Sequence, residues 1–221
     1  MGMAFGLALA VTITLAGPLL LFNPWFTSAL QSRHDVASSF DTSRAEIDRV
    51  TSEILVDLYV TGPFDAALTA GQPLLNERER SHMSDVSRLV QLLAGITLVA
   101  LVVTVAAGVA LRHEPRRQGR IMVSAAGAIG AAAVLLAVIF AIAFEQAFLA
   151  FHAIFFPPGT YLFTPGSNLI GLFPDGFWFD ASLAAGAAIV VTALVVTALG
   201  YRRWRLNVPT STEASAIGRS G

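Results

Sequence analysis

The sequence predicts an all-α integral membrane protein with four transmembrane helices. An outer segment joins helices 1 and 2, and an aromatic outer loop joins helices 3 and 4. Three observations carry this. Of 221 residues, 55% are hydrophobic and only 13% charged, about half the ~25% charge of a soluble domain. Four apolar runs, at about 3–22, 89–111, 121–144 and 181–200, each reach the ~20 residues that cross a ~30 Å hydrocarbon core. Arginine is concentrated in 112–120, with four in nine residues, and in 202–205, with three more. By the positive-inside rule both segments lie inside, which puts both termini inside and 23–88 and 145–180 outside.

The first run has no Arg or Lys ahead of it and exceeds the ~7–15 residues of a signal-peptide core, so it reads as a retained span. The outer segment 23–88 carries ten acids against six Arg. Within it, Ser43-Arg44-Ala45-Glu46 reads as a capping box. Ile47, Val50, Ile54 and Leu58 follow at helical spacing, so about 43–60 is an amphipathic helix, ended by Gly62-Pro63. A loop with Gly71-Gln72-Pro73 leads to Asn76-Glu77-Arg78-Glu79 and the second span. The short 112–120 link makes spans two and three antiparallel neighbours. Small residues in span three (Ala126/Gly130 and Gly127/Ala131) permit close helix packing. Residues 145–180 hold many of the aromatics, with turns at Pro157-Pro158-Gly159, Pro165-Gly166 and Pro174-Asp175-Gly176. This loop reads as an interfacial aromatic belt or the lining of an acyl-chain groove. Residues 1–206 form a single membrane domain, and the Ser/Thr/Gly-rich 207–221 reads as a disordered inner tail.

Composition also excludes chemistry. The net charge of −1 gives no basic excess for nucleic acid. With no Cys and no Lys, thiolate nucleophiles, disulfides and Lys bases are absent. Neither a G-x-S-x-G elbow nor a phosphate loop occurs. Four His remain. His113 lies among inside arginines, and His34 has no partner pattern. His82 lies 30 residues before Arg112, and His152 lies 32 after Arg120. As continuous helix those separations rise about 45 Å and about 48 Å, so the two imidazoles reach similar heights just outside the core. Asp85 and Glu79 flank His82 at three residues, and Glu145 precedes His152 by seven, each on the helical face of its His. A carboxylate so placed orients an imidazole and raises its basicity. Zinc would need His82, His152 and a carboxylate, without support from an H-E-x-x-H motif.

The residues around the two histidines resemble the bacterial lipoprotein intramolecular transacylase family. The resemblance rests on Asn76-Glu77-Arg78-Glu79-x-x-His82-Met83-x-Asp85-Val86 before the second span and Phe151-His152-x-Ile154-Phe155-Phe156 after the third. Leu172-Phe173-Pro174 and Phe177-Trp178 precede the fourth. It implies an enzyme of the bacterial cytoplasmic membrane, active on the extracytoplasmic side and needing no cofactor. The substrate is a lipoprotein whose N-terminal Cys carries a diacylglyceryl group. The sn-2 acyl chain moves to the α-amino group of that Cys, giving a lyso-form lipoprotein. By this resemblance His82 and His152 are the catalytic pair. Asn76, Arg78, Glu79, Asp85, Glu145, Phe173, Asp175 and Trp178 are the candidates for orienting the pair or positioning substrate and membrane lipid. Residue by residue, Arg78 reads as a brace through Glu79 or Asp85, or as a substrate contact. Trp178 and Phe173 read as lipid-holding or belt residues. Two other readings stay open on the residues alone: a non-catalytic scaffold or sensor presenting 23–88 to a partner, and a metal-dependent membrane hydrolase.

Overall fold

A backbone surrounded by hydrocarbon must satisfy its own polar groups, and long apolar runs therefore become helices. The computed structural model describes residues 1–68, 71 and 73–205. The helices are α1 (Gly2–Leu21), α2 (Pro24–Arg33), α3 (Val36–Ser39), α4 (Arg44–Val60), α5 (Glu77–Ala110), α6 (Pro115–Ile142), α7 (Phe144–Phe155), α8 (Asn168–Leu172) and α9 (Asp175–Arg205). Of these, α1, α5, α6 and α9 are long and apolar enough to cross a membrane. The tail 207–221 expected to be disordered, and Gln72 of the expected turn, lie outside the described residues.

The amphipathic helix expected at 43–60 is α4. Ser43 caps it by accepting the Glu46 N–H at 3.2 Å, and Thr61 ends it in the left-handed region at φ 54°. Its stripe of Ile47, Val50, Ile54 and Leu58 is buried against Val36, Phe64, Leu75, Met83 and Leu172. Helices α2 and α3 were not anticipated. Asn23 starts α2 by accepting the Phe26 N–H at 3.0 Å, and Pro24 takes the first helical position, where no N–H is needed. Among the described residues no strand forms; Ala67 and Pro73 make one isolated bridge.

The four long helices are not arranged as the short link suggested. Spans two and three, α5 and α6, are joined at their bases but do not pack along their lengths. Instead α1 packs on α5, α6 and α9, and α6 packs along α9. Small residues let α6 and α9 approach. Ala126 is fully buried, and a Cβ at Gly130 would lie 3.2 Å from Ala193 Cβ. Gly119 and Gly200 meet backbone to backbone, since a Cβ at Gly119 would lie 2.5 Å from the Gly200 carbonyl oxygen. Gly127 faces open space. A second core, Phe5, Leu9, Ile13, Ala107, Leu111, Ala126 and Ala193, fills this half of the bundle. At the other end α6 does not run on to His152. The helix stops at Ala143 (φ −133°, ψ 47°), and α7 restarts at Phe144.

Candidate active site

The site is built from the first turns of α5 and the last turns of α7, closed by the chain between α7 and α9. The first three turns of α5, 77–88, carry six charged residues and precede the apolar run. Asn76 and Glu79 close a full capping box. The Asn76 side chain accepts the Glu79 N–H at 3.0 Å, and the Asn76 N–H donates to Glu79 Oε2 at 2.8 Å. Glu79 is wholly buried, and its other oxygen, Oε1, accepts the Leu169 N–H at 3.1 Å and the Ser167 hydroxyl. Asn168 adds a bond to the Leu74 carbonyl at 2.7 Å. One carboxylate thus fixes the start of α5 and pins α8 over it.

One turn further along α5, His82 is 6% exposed. Its ring stacks on His152 with centroids 6.0 Å apart and an interplanar angle of 27°. Phe156 and Phe163 close on His82 at 4.9 and 5.6 Å. Around His152 stand Phe148 at 4.2 Å, Tyr161 at 5.3 Å and Phe156 at 5.4 Å. Phe148 continues to Trp178 at 6.2 Å, and Trp178 to Phe173 at 6.0 Å. The matched heights expected of the two histidines are therefore met, although the helix between them is broken. His82 and His152 form one pair inside an aromatic box.

The two imidazoles differ in their hydrogen bonds. His152 Nδ1 lies 2.8 Å from the Phe148 carbonyl oxygen. A carbonyl can only accept, so a neutral His152 carries its proton on Nδ1 and keeps a lone pair on Nε2. His82 Nδ1 is buried with no hydrogen-bond partner. A buried polar atom left unpaired costs about 1–3 kcal/mol, so it marks a place where a ligand group has something to gain. Burial pushes both imidazoles below the ordinary histidine value. At His82 the neighbouring His152 adds to the effect and Asp85 opposes it; at His152 the Phe148 carbonyl opposes it. Both rings are thereby held neutral, the form that accepts a proton.

The remaining residues singled out from sequence divide sharply. Arg78 braces neither Glu79 nor Asp85. It donates to the Gly159 carbonyl at 2.7 Å and lies 5.6 Å from the Phe163 ring centroid, so it holds the chain that walls His82. Asp85 does not bond His82; it pairs with Arg88 at 3.1 Å, and its charge acts on the ring through space. Glu145 is exposed, with no hydrogen bond or ion pair among the described residues, and the Phe148 carbonyl takes the His152 nitrogen that an orienting carboxylate would reach. Asp175 sits in the first turn of α9, away from any polar contact with the pair. His34, without a visible partner in the sequence, bonds Asp180 at 2.9 Å, and Arg33 joins the same oxygen at 3.1 Å, tying α2 to α9. Phe148, Tyr161 and Phe163 were not singled out. Phe148, His152 and Phe156 recur at i, i+4, which was the readable signal for one wall. Among the described residues no three His, Cys, Asp or Glu gather as a metal site.

Comparison with known proteins identifies the family and the fold. The family model of the lipoprotein intramolecular transacylase Lit matches residues 3–178. The chain belongs to that family. It is thus a multi-pass membrane acyltransferase of the Lit type. Its fold is similar to the solved structure of the membrane-integral lipoprotein intramolecular transacylase Lit from Bacillus cereus. The two share 16% identity and superpose with a TM-score of 0.81 over 98% of this chain and 96% of that one. Two structures of the same Bacillus cereus protein, with arginine or alanine replacing one histidine, each give a TM-score of 0.74 at 15% identity. Each covers 98% of this chain, against 92% and 94% of the other. No curated protein matches the chain.

Proposed function

We propose that the chain transfers the sn-2 acyl group of a diacylglyceryl-modified N-terminal Cys to the α-amino group of the same Cys, with His82 and His152 as acid and base. The observation that carries this is the stacked pair itself, with centroids 6.0 Å apart and both rings held neutral in an aromatic box. Donor ester and acceptor amine belong to one molecule, so holding it folded supplies much of the rate and no enzyme nucleophile is required. The α-ammonium, with a reference pKa of about 8, first loses a proton. The free amine attacks the ester carbonyl carbon. His152 Nε2, whose lone pair is set by the Phe148 carbonyl, takes the second amine proton. His82 Nδ1, buried and unpartnered, faces the developing oxyanion or leaving oxygen. The C–O ester bond breaks, the glycerol oxygen gains a proton, and an amide replaces the ester at unchanged total mass. Phe148, Trp178 and Phe173 form a continuous apolar surface for the acyl chain. Asn76, Glu79 and Arg78 position α5 and the covering chain. In this reading residues 1–206 act as one membrane unit, both termini face the cytoplasm, and the site opens on the opposite side, where lipoprotein and membrane lipid meet it.

Mass spectrometry of a model lipoprotein tests this. The chain is expressed in a bacterium lacking its own N-acylating enzymes, and the N-terminal Cys peptide is analysed. Wild type should move one acyl chain to nitrogen at constant total mass, and His152→Ala and His82→Ala should both leave the diacylglyceryl form with a free amine. A free amine with wild type overturns the transfer. Loss of turnover in only one histidine variant overturns the paired mechanism.

A further inference from the structure

At the end of the bundle away from the histidine pair, α1 and α6 touch through Ile121, whose side chain lies 3.1 and 3.2 Å from where a Cβ on Gly2 or Gly6 would stand. Along this seam an open surface groove of ≈ 750 Å³ is lined by Gly6, Leu7 and Ala10 of α1, Ser124 and Ala128 of α6, and at its mouth Arg117 and Arg120. The small residues leave the walls low, and the groove reaches Ile129. From Arg117 to Ile129 helical rise gives about 18 Å, close to half of a ~30 Å hydrocarbon core, the depth of one leaflet. The two guanidiniums are three residues apart on one face of α6. Arg117 donates to Glu114 at 2.9 Å through Nη1, while its Nη2 and Nε lie nearest α1, 3.2 and 3.5 Å from where a Cβ on Gly2 would stand. Arg120 makes no hydrogen bond or ion pair among the described residues. Four Arg against one Glu in 112–120 leave this mouth cationic.

The geometry points to a binding site for an anionic phospholipid, its phosphate held between Arg117 and Arg120 and one acyl chain lying in the α1–α6 groove. Paired guanidiniums match phosphate oxygens, and basic pockets between spanning helices recognise anionic headgroups. A free phosphate would use the arginines alone; the apolar run beyond them, one leaflet deep, is what selects a lipid. The site is remote from the histidines and stands independently of the acyl-transfer reading.

Native mass spectrometry of the purified full chain tests it, with phosphatidylglycerol, phosphatidylcholine and inorganic phosphate as separate probes. Phosphatidylglycerol should be retained at least about tenfold more tightly than phosphatidylcholine. Loss of two charge-assisted contacts in Arg117→Gln/Arg120→Gln should weaken it by about tenfold or more. Ser124→Leu keeps both charges and fills the groove, and it should also weaken retention. Equal retention of both lipids, or unchanged phosphatidylglycerol binding in both variants, overturns the proposal. Displacement of phosphatidylglycerol by millimolar inorganic phosphate, with Ser124→Leu binding as wild type, assigns a phosphate site and overturns the lipid.

Discussion

The two ends of the bundle treat buried polar groups in opposite ways. At the base, Gln118 is 6% exposed, yet its Nε2 donates to the Gly108 carbonyl at 2.9 Å and its oxygen accepts from Arg203. Gly119 and Gly200 bring α6 and α9 together beside it. At the histidine end, Glu79 is equally well satisfied, but three residues later His82 Nδ1 has no partner. Polar side chains whose every atom is used only hold helices together. A buried one left short of a partner, beside a second titratable ring, is equipped for chemistry. The base is therefore a clamp, and the other end combines a clamp with the proposed site.

The sharpest way to break this contrast is at the rings. General acid–base contributions run to about 10²–10⁴-fold. His152→Ala and His82→Ala should each lower turnover by at least about 100-fold, read from the acylated Cys peptide. Both should lower the unfolding temperature only by the cost of the emptied ring volume, because neither ring bonds across to another helix. A large loss of stability with either variant would make the pair a structural element like Gln118.

Glu79 should behave in the reverse order. Removing its carboxylate leaves the Asn76 and Leu169 N–H groups and the Ser167 hydroxyl without an acceptor. Glu79→Ala should cost about 3 kcal/mol of stability, with activity falling as a consequence. Differential scanning fluorimetry in detergent checks the first, and activity at a temperature where the variant is still folded separates the second. At the base, Gly119→Ala forces a Cβ to within 2.5 Å of the Gly200 carbonyl. It should destabilise by about 2 kcal/mol while kcat of the folded fraction stays unchanged. An activity loss larger than the unfolded fraction would couple the two ends and contradict their separation.

The pH profile sharpens the site further. Both imidazoles sit below the ordinary value, and a lowered pKa extends the neutral form downward in pH. Between pH ~8 and ~6.5 the acceptor amine alone should titrate, giving about a tenfold fall per unit. A second factor should enter only below ~6.5. A steeper limb already above 6.5 would mean an imidazole raised rather than lowered, and would contradict a pair held neutral by burial.

Much of this was legible in the sequence, for reasons tied to particular residues. Apolar length gave the four spans, and Ser43-x-x-Glu46 with its 3.6-residue stripe gave α4. Counting residues outward from one short link brought His82 and His152 to a common height. What escaped is long-range or depends on backbone breaks. Glu79 meets Ser167 and Leu169 across 88 and 90 residues, and His34 meets Asp180 across 146, separations with no periodic trace. The packing of α1 between α5 and α6 overturned the expectation that a short link makes full-length neighbours. A link fixes only the ends it joins, and the interhelical surface is decided by which faces carry small residues.

Glu145 shows how such a break changes a residue's role. Spacing puts it on the face of His152, seven residues earlier, as an orienting carboxylate. That holds only where a carboxylate can reach Nδ1, and here the Phe148 carbonyl already occupies that nitrogen at 2.8 Å. Glu145 stays exposed in the first turn of α7, beside the helix N-terminus, where a negative charge gains a few tenths of a kcal/mol. Glu145→Ala should therefore change turnover by less than about threefold and leave the pH profile unmoved. A shift of the acid limb in that variant would show that the carboxylate reaches His152 during the reaction, and the tautomer would then be set by Glu145 rather than by the backbone.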